Sequence, residues 1–525
     1  MAPARGGPRI GLPRISLPQL WLGLAVLLPG LASLLSVLST VDLAYGLRAG
    51  GEILDGAGIP RTDTYTFTVA GQPWLDQQWG AQVFFAAWWR ALGWSGLVLL
   101  RAVLISAAWA CLVVAIRQRA PGLGARTVAA LALLAFVVTA PAMALRPQLV
   151  GILLFCLVLA LLAGRHRHPR LAWVVPLVVL AWANVHGSFV LGPALAGLAW
   201  LEDVRLGGLG RGLAGRSARS ARSGSRPFDL ALGGLALAVM TSLATLVTPF
   251  GPGALAYALT LSSNRELAAR ISEWQAPSFA EPTGLLFFGS VVLVAAIVVL
   301  RRGVVRWPTV AGLALFAALG LIAARGVAWW PATAVTMVSP LIPWAAPYSP
   351  FRRAPRVSSL NTLILALLVV VSVPLLRVGS PADSKLGMGA PAGLLGQAPA
   401  AVTGVLREWM HSGEDLQMRS MAWTPQAWAP QTWGSWLELA VPDLPVAVDS
   451  RIELFPADLW ADYDTVADAR PGWQAILERR EATLLVVAGT QEALLAAARS
   501  DSGWRELPSG DATGTVFVTT RSATP

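Results

Sequence analysis

Residues 41–82 read VDLAYGLRAGGEILDGAGIPRTDTYTFTVAGQPWLDQQWGAQ and separate two apolar segments, 19–40 and 95–116. This polar stretch is far longer than a turn between two neighbouring helices requires. Each apolar segment has the length of about 20 residues that crosses the hydrocarbon core of a bilayer. The pattern predicts two membrane-spanning helices that are joined by a long loop outside the membrane.

The whole chain has the composition of a protein with many membrane spans. Its 525 residues are 55% apolar and 13% charged, and the mean hydropathy is +0.59. Such a chain cannot fold as a water-soluble globule, so we expect a polytopic α-helical membrane protein with about 11 transmembrane helices over residues 19–376. Nine apolar segments follow the first two, at 127–145, 149–163, 171–185, 188–202, 228–248, 284–300, 307–324, 327–347 and 358–376.

The positions of the arginines predict how these spans are oriented. Cytoplasmic loops of membrane proteins are rich in arginine, and most arginines before residue 377 fall in every second loop of this chain. The net charge of +11 is explained in this way, so we do not expect nucleic-acid binding. Residues 1–18 are predicted to be cytoplasmic and the C-terminal tail to lie outside. The arginine- and alanine-rich composition with the single lysine Lys385 indicates a GC-rich bacterial genome, and together with the predicted spans we expect a protein of the bacterial plasma membrane.

The chain changes character after residue 377. Residues 377–400 are rich in glycine, proline and alanine and predict a linker. Residues 401–525 alternate strand-like and helical patterns, which predict a C-terminal extracytoplasmic α/β domain. The strand-like segments are PVAVDS at 445–450, TLLVVAG at 483–489 and TVFVTT at 515–520, and the helical ones are PGWQAILERRE at 471–481 and QEALLAAARS at 491–500.

Four residues of the first outer loop, 41–94, are candidates for the active site. Asp42 ends the first span, where an ionisable group near lipid indicates function, although it could instead cap the following helix. Asp63, in IPRTDTYTFT, suits catalysis or metal binding, with an Asx turn as the alternative. Gln78 and Trp79 precede an apolar segment that we interpret as an interfacial helix, and they could line a polar pocket. An aromatic belt at the membrane interface also explains the tryptophan.

Further polar residues lie at the outward ends of later spans. The arginines among them could snorkel to lipid headgroups, His186 could satisfy a helix end, and Glu273 could pair with Arg270. All of them nevertheless fall on one predicted side, where arginines suit the phosphate or pyrophosphate of a lipid carrier. These substrate-binding candidates are Arg146 in RPQL, His186 in WANVHGSF, Glu273 and Trp274 in ISEWQAPSF, and Arg325 in AARGVAWW.

The sequence predicts no cofactor. It lacks the motifs of nucleotide-binding loops, zinc proteases and serine hydrolases, and the first loop has no Asp-x-Asp pair. A divalent metal is therefore not supported, although Asp42, Asp63 and Glu273 could assemble a site in space.

The blocks named above resemble a known superfamily. The first loop, with Asp42 followed by GGEILDGAGIPRTDTYTFTVAGQPWLDQQWGAQ, is similar to that of bacterial GT-C membrane glycosyltransferases, which include protein mannosyltransferases and lipid A aminoarabinose transferases. The resemblance is to an uncharacterised bacterial branch and runs in order from about residue 40 to the C-terminus. Residues 74–79 stand where some branches carry a Lys-Pro-Pro-Leu block. The other similar blocks are RPQLVGILLF, AWANVHGSFVLG, TPFG at 248–251, ISEWQAPSF and WGSWLELAVPDLPVAVDSRIELF.

The resemblance implies an enzyme that moves a sugar from a polyprenyl-phosphate donor to an envelope glycan, lipid or protein acceptor on the outer face. Asp42 matches the acidic residue that acts as general base in the superfamily, and the reaction would invert the anomeric carbon. Arg146 or Arg325 would stabilise the leaving phosphate.

Two other classes of protein remain as alternatives. A transporter or flippase of lipid-linked glycans would also need an outward cavity with arginines, but transporters often show two related halves, which are not evident here. A non-catalytic scaffold would tolerate the loss of Asp42, whereas the enzyme would not.

Overall fold

The computed structural model describes residues 13–214, 227–263, 270–342, 357–412, 424–508 and 512–520. A helix lies at each of the eleven predicted spans, and further helices lie in the loops between them. In chain order they are α1 (Leu17–Ser33), α2 (Leu43–Leu54), α3 (Trp79–Arg119), α4 (Ala125–Thr139), α5 (Pro147–Ala163), α6 (Pro169–Ala172), α7 (Val175–Ala183), α8 (Leu191–Ala214), α9 (Pro227–Ala244), α10 (Pro252–Ser263), α11 (Pro282–Leu300), α12 (Trp307–Ile322), α13 (Trp330–Val338) and α14 (Ser359–Ser372).

Four helical segments in the described part of the chain are long and apolar enough to cross a membrane. They are Trp79–Arg119, Ala125–Ala142, Pro282–Leu300 and Ser359–Leu376. Length and composition thus support a membrane protein, and the count of eleven spans stays a prediction.

Helix α3 joins the predicted interfacial helix to the second predicted span. Gly93, with φ of 64° and ψ of −162°, interrupts the helix in a conformation that a residue without Cβ adopts readily. The next residue, Trp94, is buried, and its indole N–H donates to the carbonyl of Met388 at 3.0 Å. The kink therefore separates two helical parts, of which the first lies beside the first loop.

Helix α2 packs closely on the beginning of α3. A Cβ at Gly50 would lie only 2.1 Å from the carbonyl oxygen of Gln82, so glycine is needed at this contact. The Arg90 guanidinium holds Asp55, just beyond α2, through two hydrogen bonds of 2.8 and 2.7 Å. The first outer loop is therefore fixed against the helix bundle.

The segment 377–400, predicted as a linker, folds back onto the bundle. Its strand β4 (Leu395–Gly396) pairs in parallel with β2 (Leu38–Ser39), which follows α1. The Thr40 hydroxyl donates to the carbonyls of Gly396 and Gln397 at 2.8 and 2.9 Å. This pairing fixes the chain immediately before Asp42. Two further short strands, β1 (Ile15–Ser16) and β3 (Val357–Ser358), pair antiparallel at the beginnings of α1 and α14.

The tail contains a four-stranded sheet with helices around it. The strands are β5 (Ala427–Trp428), β6 (Leu484–Ala488), β7 (Trp504–Leu507) and β8 (Gly514–Thr519), in the order β5-β6-β8-β7. The helices are α15 (Ala400–Met410), α16 (Gln431–Ala440), α17 (Ala457–Ala467), α18 (Trp473–Arg479) and α19 (Glu492–Ser500).

Two of the three predicted tail strands occur as predicted, as β6 and β8. The prediction of a strand at 445–450 was wrong, because this segment forms only single bridges, from Val446 to Ala427 and to Thr66. The second bridge joins the tail to the first outer loop. We call the end of the bundle against which residues 424–508 pack the tail face.

Candidate functional site

Four charged residues from four separate loops meet at the tail face. Arg146 donates to both carboxylate oxygens of Glu273, at 3.1 and 2.7 Å, and to Asp42 at 3.3 Å. Arg325 interacts electrostatically with all three of these residues. We call Asp42, Arg146, Glu273 and Arg325 the Arg146 cluster. The sequence predicted all four as site residues, and the structure brings them together.

Local backbone structure presents each member of this cluster. Arg146 precedes Pro147 and is extended, since a residue before proline avoids the helical region. Glu273 lies in a 3-10 turn, Ser272–Trp274, and Arg325 in a second one, Ala324–Trp329. The two turns are joined by a hydrogen bond of 2.8 Å from the amide of Ala324 to the carbonyl of Gln275.

Trp274 supports the cluster from one side. The Arg325 guanidinium lies over its ring, 4.4 Å from the ring centre, so Arg325 does not simply extend to the lipid surface. The suggested pair between Glu273 and Arg270 does not form, because Arg270 pairs with Asp464 of the tail at 2.7 Å. Glu273 therefore forms its ion pair with Arg146 and not with Arg270.

The two carboxyl groups of the cluster differ in proton affinity. Burial raises the pKa of Asp42, and the neighbouring Arg146 offsets this only in part. Burial also acts on Glu273, but its pairing with Arg146 outweighs burial and lowers the pKa. The side chains of Asp42 and Glu273 keep 32% and 40% of their surface accessible. Both side chains thus remain partly accessible, and Asp42 is the more basic of the two carboxylates.

His186 is a neutral neighbour of the cluster. Burial and the charges of Arg325 and Arg146 lower the pKa of His186 to about 3. Its Nδ1 accepts the backbone N–H of Ser188 at 3.2 Å and lies 2.7 Å from the hydroxyl of that residue. Since Nδ1 is the acceptor, the ring carries its proton on Nε2. His186 is thus a neutral side chain with its N–H on Nε2, and the charges of two arginines act on it.

Trp79 and Gln78 lie next to the loop that carries His186. The Trp79 indole N–H donates to the side-chain oxygen of Asn184 at 3.2 Å. Gln78 stands immediately before α3, and its backbone N–H donates to Asp76 at 3.3 Å. Trp79 therefore fixes the His186 loop, while the described contacts of Gln78 are those of a helix beginning.

Asp63 lies in a different environment. It is 1% exposed and accepts hydrogen bonds from the backbone of Tyr65 and Thr66, from the Thr66 hydroxyl and from Arg451. The contacts within the loop are those of the Asx turn that was the alternative to a catalytic role. The structure does not bring Asp63 to Asp42 and Glu273, with which it could have formed a metal site.

Arg451 of the tail stands at the centre of this second environment. It bonds to Asp63 and Asp449 and lies 3.9 Å from Glu438. Burial raises the pKa of Glu438 well above its usual range. The aromatic rings of Tyr45, Tyr65 and Trp74 surround the guanidinium at 4.4 to 5.8 Å. We call Asp63, Glu438, Asp449 and Arg451 the Arg451 cage.

Two further polar residues lie beside the cluster and the cage. Glu453 of the tail interacts electrostatically with Arg325 and accepts the hydroxyl of Tyr257 at 2.9 Å. Asp76 of the first loop is buried, which raises its pKa to about 7. The position of Asp76 beside Gln77 and Gln78 was a signal in the sequence. Glu453 lies in the tail block SRIELF, whose Asp449, Arg451 and Glu453 suggest either a structural lid contact or an acceptor-binding surface, and the fold of the tail brings it here.

Among the described residues, no group of three or more histidine, cysteine, aspartate or glutamate side chains is arranged to hold a metal ion. The cluster instead combines two cations, one ion-paired carboxylate and one carboxylate of raised pKa. Such a set suits an oxyanion and a group that gives up a proton.

Comparison with known proteins finds no matching family model and no matching curated protein. Solved structures of an oligosaccharyltransferase from Archaeoglobus fulgidus are similar. AglB from that archaeon, in complex with an inhibitory peptide and a dolichol-phosphate, is 11% identical with a TM-score of 0.50, over 97% of this chain and 75% of the other. The apo form gives 11% and 0.51 over the same shares. The form tethered to an acceptor peptide gives 10% and 0.51, over 95% and 74%.

At this level of identity the similarity concerns the fold, and it extends over nearly the whole chain. The chain therefore has the fold of this archaeal oligosaccharyltransferase.

Proposed function

We propose that the protein is a membrane glycosyltransferase that transfers a sugar from a polyprenyl-phosphate donor to an envelope acceptor, with inversion at the anomeric carbon. The observation that carries this proposal is the Arg146 cluster, in which Asp42, a carboxylate of raised pKa, stands beside Arg146 and Arg325. The fold shared with AglB, whose structure holds a dolichol-phosphate, supports the same reading. The protein would lie in a bacterial plasma membrane with the tail outside.

The two arginines would bind the lipid phosphate. Arg146 already holds a carboxylate through two parallel hydrogen bonds, which is the geometry that binds phosphate oxygens. Arg325 adds a second positive charge, and the Nε2–H of His186 adds a neutral donor. As the bond between the anomeric carbon and the phosphate oxygen breaks, charge develops on that oxygen, and preorganised donors stabilise it.

Asp42 would act as the general base. Its carboxylate accepts the proton of the acceptor hydroxyl while the hydroxyl oxygen attacks the anomeric carbon. The attacking oxygen approaches from the side opposite the phosphate, which leaves with the bonding electrons, and the configuration inverts. The raised pKa of Asp42 makes it a better proton acceptor than the ion-paired Glu273.

Binding of the lipid phosphate tests the role of the arginines. The probe is undecaprenyl phosphate, titrated into the full-length protein in nanodiscs and followed by native mass spectrometry. Arg146→Ala should weaken binding about 10- to 100-fold, the value of a charge-assisted contact of about 1.5–3 kcal/mol. The matched control is Arg90→Ala, which removes another exposed arginine–carboxylate pair, with Asp55, and should leave binding unchanged.

Three results would oppose the proposal. If the wild-type protein does not bind undecaprenyl phosphate above the level of a neutral lipid, the donor class is wrong. If Arg146→Ala and Arg90→Ala behave alike, the cluster is not the phosphate site. Transport of a lipid-linked glycan without transfer of its sugar would favour a flippase.

A further inference from the structure

Asp42 is held in place by elements from three distant parts of the chain. The strand before it pairs with β4, and Thr40 bonds to the connecting segment. On another side, Arg101 of α3 donates to the carbonyls of Ser33, Ser36 and Val37 at the end of α1. These contacts fix the chain up to the residue that precedes Val41.

The third contact comes from the tail. The Ser450 hydroxyl donates to the carbonyl of Val41 at 2.7 Å. A hydroxyl has one proton, so the 2.8 Å contact between the hydroxyls of Ser450 and Ser435 requires Ser435 to donate to Ser450. The backbone N–H of Ser450 donates to the Ser435 hydroxyl at 3.2 Å. The two serines thus form a hydrogen-bonded pair, and the Ser450 hydroxyl of this pair binds the peptide between Val41 and Asp42.

The pair is itself rigidly supported. Ser435 is completely buried in α16, which packs on α2, the helix that Asp42 begins. Ser450 follows Asp449 and precedes Arg451, both members of the Arg451 cage. The same hydroxyl also lies close enough to the Asp42 carboxylate to lower its pKa, against the opposing effect of burial.

We propose that Ser450, held by Ser435, is a positioning residue for the general base, so that the tail is a part of the catalytic apparatus. This inference rests on the proposed function, because it takes Asp42 as the base. With its proton on the Val41 carbonyl, the hydroxyl orients the peptide of Val41 and Asp42. When Asp42 is ionised, the same proton turns from that carbonyl to the carboxylate. Catalysis would then require a folded tail even though the tail contributes no group to the reacting atoms.

The groups that face Asp42 determine what a pH profile can show. They are Arg146 before α5, Glu273 and Arg325 in their two turns, Tyr45 on α2 and Ser450 of the tail. Loss of a hydrogen bond to the ionised carboxylate favours the protonated form, so the pKa of Asp42 rises further. A base must be ionised to act, and the acidic limb of the rate profile would therefore move to higher pH.

The experiment compares kcat and KM for the lipid-linked donor from pH 5 to 9 in four full-length proteins: wild type, Ser450→Ala, Ser450→Thr and Ser39→Ala. Ser450→Ala should lower kcat about tenfold and move the acidic limb up by about one pH unit, with KM nearly unchanged, as expected for one hydrogen bond to a charged group. Ser450→Thr retains the hydroxyl and should restore both. The control is Ser39→Ala. Ser39 lies on β2, just before Asp42, and its hydroxyl bonds only weakly to Gln397, at 3.4 Å.

The outcomes separate this inference from the proposed function. If Ser450→Ala keeps the wild-type kcat and acidic limb while Asp42→Asn is inactive, the positioning role is overturned and the function stands. A loss of kcat without movement of the acidic limb, and without rescue by threonine, would show a purely structural serine. If Asp42→Asn retains activity, the proposed function itself fails.

Discussion

The Arg146 cluster and the Arg451 cage contain the same kinds of residue and lie at the same face, yet they differ in access to solvent. In the cluster the side chains of Asp42, Arg146 and Glu273 remain 25–40% exposed. In the cage Arg451 and its partners are at most 1% exposed. An arginine among acids is therefore no sign of a reactive site by itself, and accessible surface distinguishes the two groups.

Asp63 of the cage and Asp42 of the cluster also differ in the number of hydrogen bonds that their carboxylates accept. Asp63 receives four hydrogen bonds and joins the first loop to the tail over 388 positions of sequence. While the Ser450 hydroxyl donates to the Val41 carbonyl, Asp42 receives one bond, from Arg146 at 3.3 Å, and its side chain does not cap α2. The Asp63 carboxylate, with all of these hydrogen bonds made, stabilises the contact between the first loop and the tail. The Asp42 carboxylate can still accept hydrogen bonds from a ligand.

The first prediction concerns the reactive side of this comparison. Asp42→Asn should lower the rate of sugar transfer about 10²- to 10⁴-fold, the usual contribution of a general base, because an amide cannot accept the proton. The free energy of unfolding should stay within about 1 kcal/mol of wild type, since the lost ion pair is accessible to solvent. Glycan and lipid mass spectrometry of a strain that lacks the chain, complemented with each protein at matched membrane levels, measures the effect. Full restoration by Asp42→Asn would favour a transporter or scaffold.

The second prediction concerns the structural side. Arg451→Ala should lower the free energy of unfolding by about 3–5 kcal/mol, because it leaves the buried Asp63 and Asp449 without their cation. Denaturation of the protein in detergent micelles, followed by tryptophan fluorescence, measures this loss. Arg146→Ala is the matched control and should cost less than about 1 kcal/mol, since exposed pairs contribute little. Equal losses in the two variants would remove the distinction between cluster and cage.

The third prediction separates the two roles that the sequence left open for Asp63. Asp63→Asn preserves the shape of the side chain but removes the charge opposite Arg451, so unfolding should become easier by about 1–3 kcal/mol. Activity per folded molecule should stay within about twofold of wild type. A rate loss as large as that of Asp42→Asn, in protein that is fully folded, would instead make Asp63 part of the catalytic machinery.

The sequence predicted the helices well because a membrane span needs a long apolar segment wherever it lies. It also indicated the residues of the cluster, since the loops that carry Asp42, Arg146, Glu273 and Arg325 all follow or precede predicted spans on one predicted side. For the cage, it pointed to Asp449 and Arg451 as a structural lid contact or an acceptor-binding surface, but it could not pair them with Asp63. Burial of Asp63 depends on Arg451, and no local pattern shows that a tail residue will reach the first loop.

The tail shows the same limit at the level of strands. The apolar runs of β6 and β8 were enough to predict these strands, because the two strands pair with each other inside the sheet. The segment 445–450 has the same alternating pattern, but it lies between Ala427 and the first loop and forms only single bridges. One of its two partners, Thr66, lies in the first loop and not in the tail sheet. The alternating pattern alone therefore predicted a strand where the structure has only two single bridges.

The last prediction has the smallest expected effect and asks what keeps the cluster open to a ligand. Glu273 occupies Arg146 with the two parallel bonds that a phosphate would need, so the lipid phosphate must displace it. Glu273→Gln removes the competing charge and should tighten binding of undecaprenyl phosphate up to about fivefold, the value of an accessible ion pair. Glu281→Gln, at the beginning of α11, is the control and should bind like wild type. Weaker binding by Glu273→Gln would mean that the carboxylate assists the ligand, and the cluster would then resemble the cage in needing all of its charges.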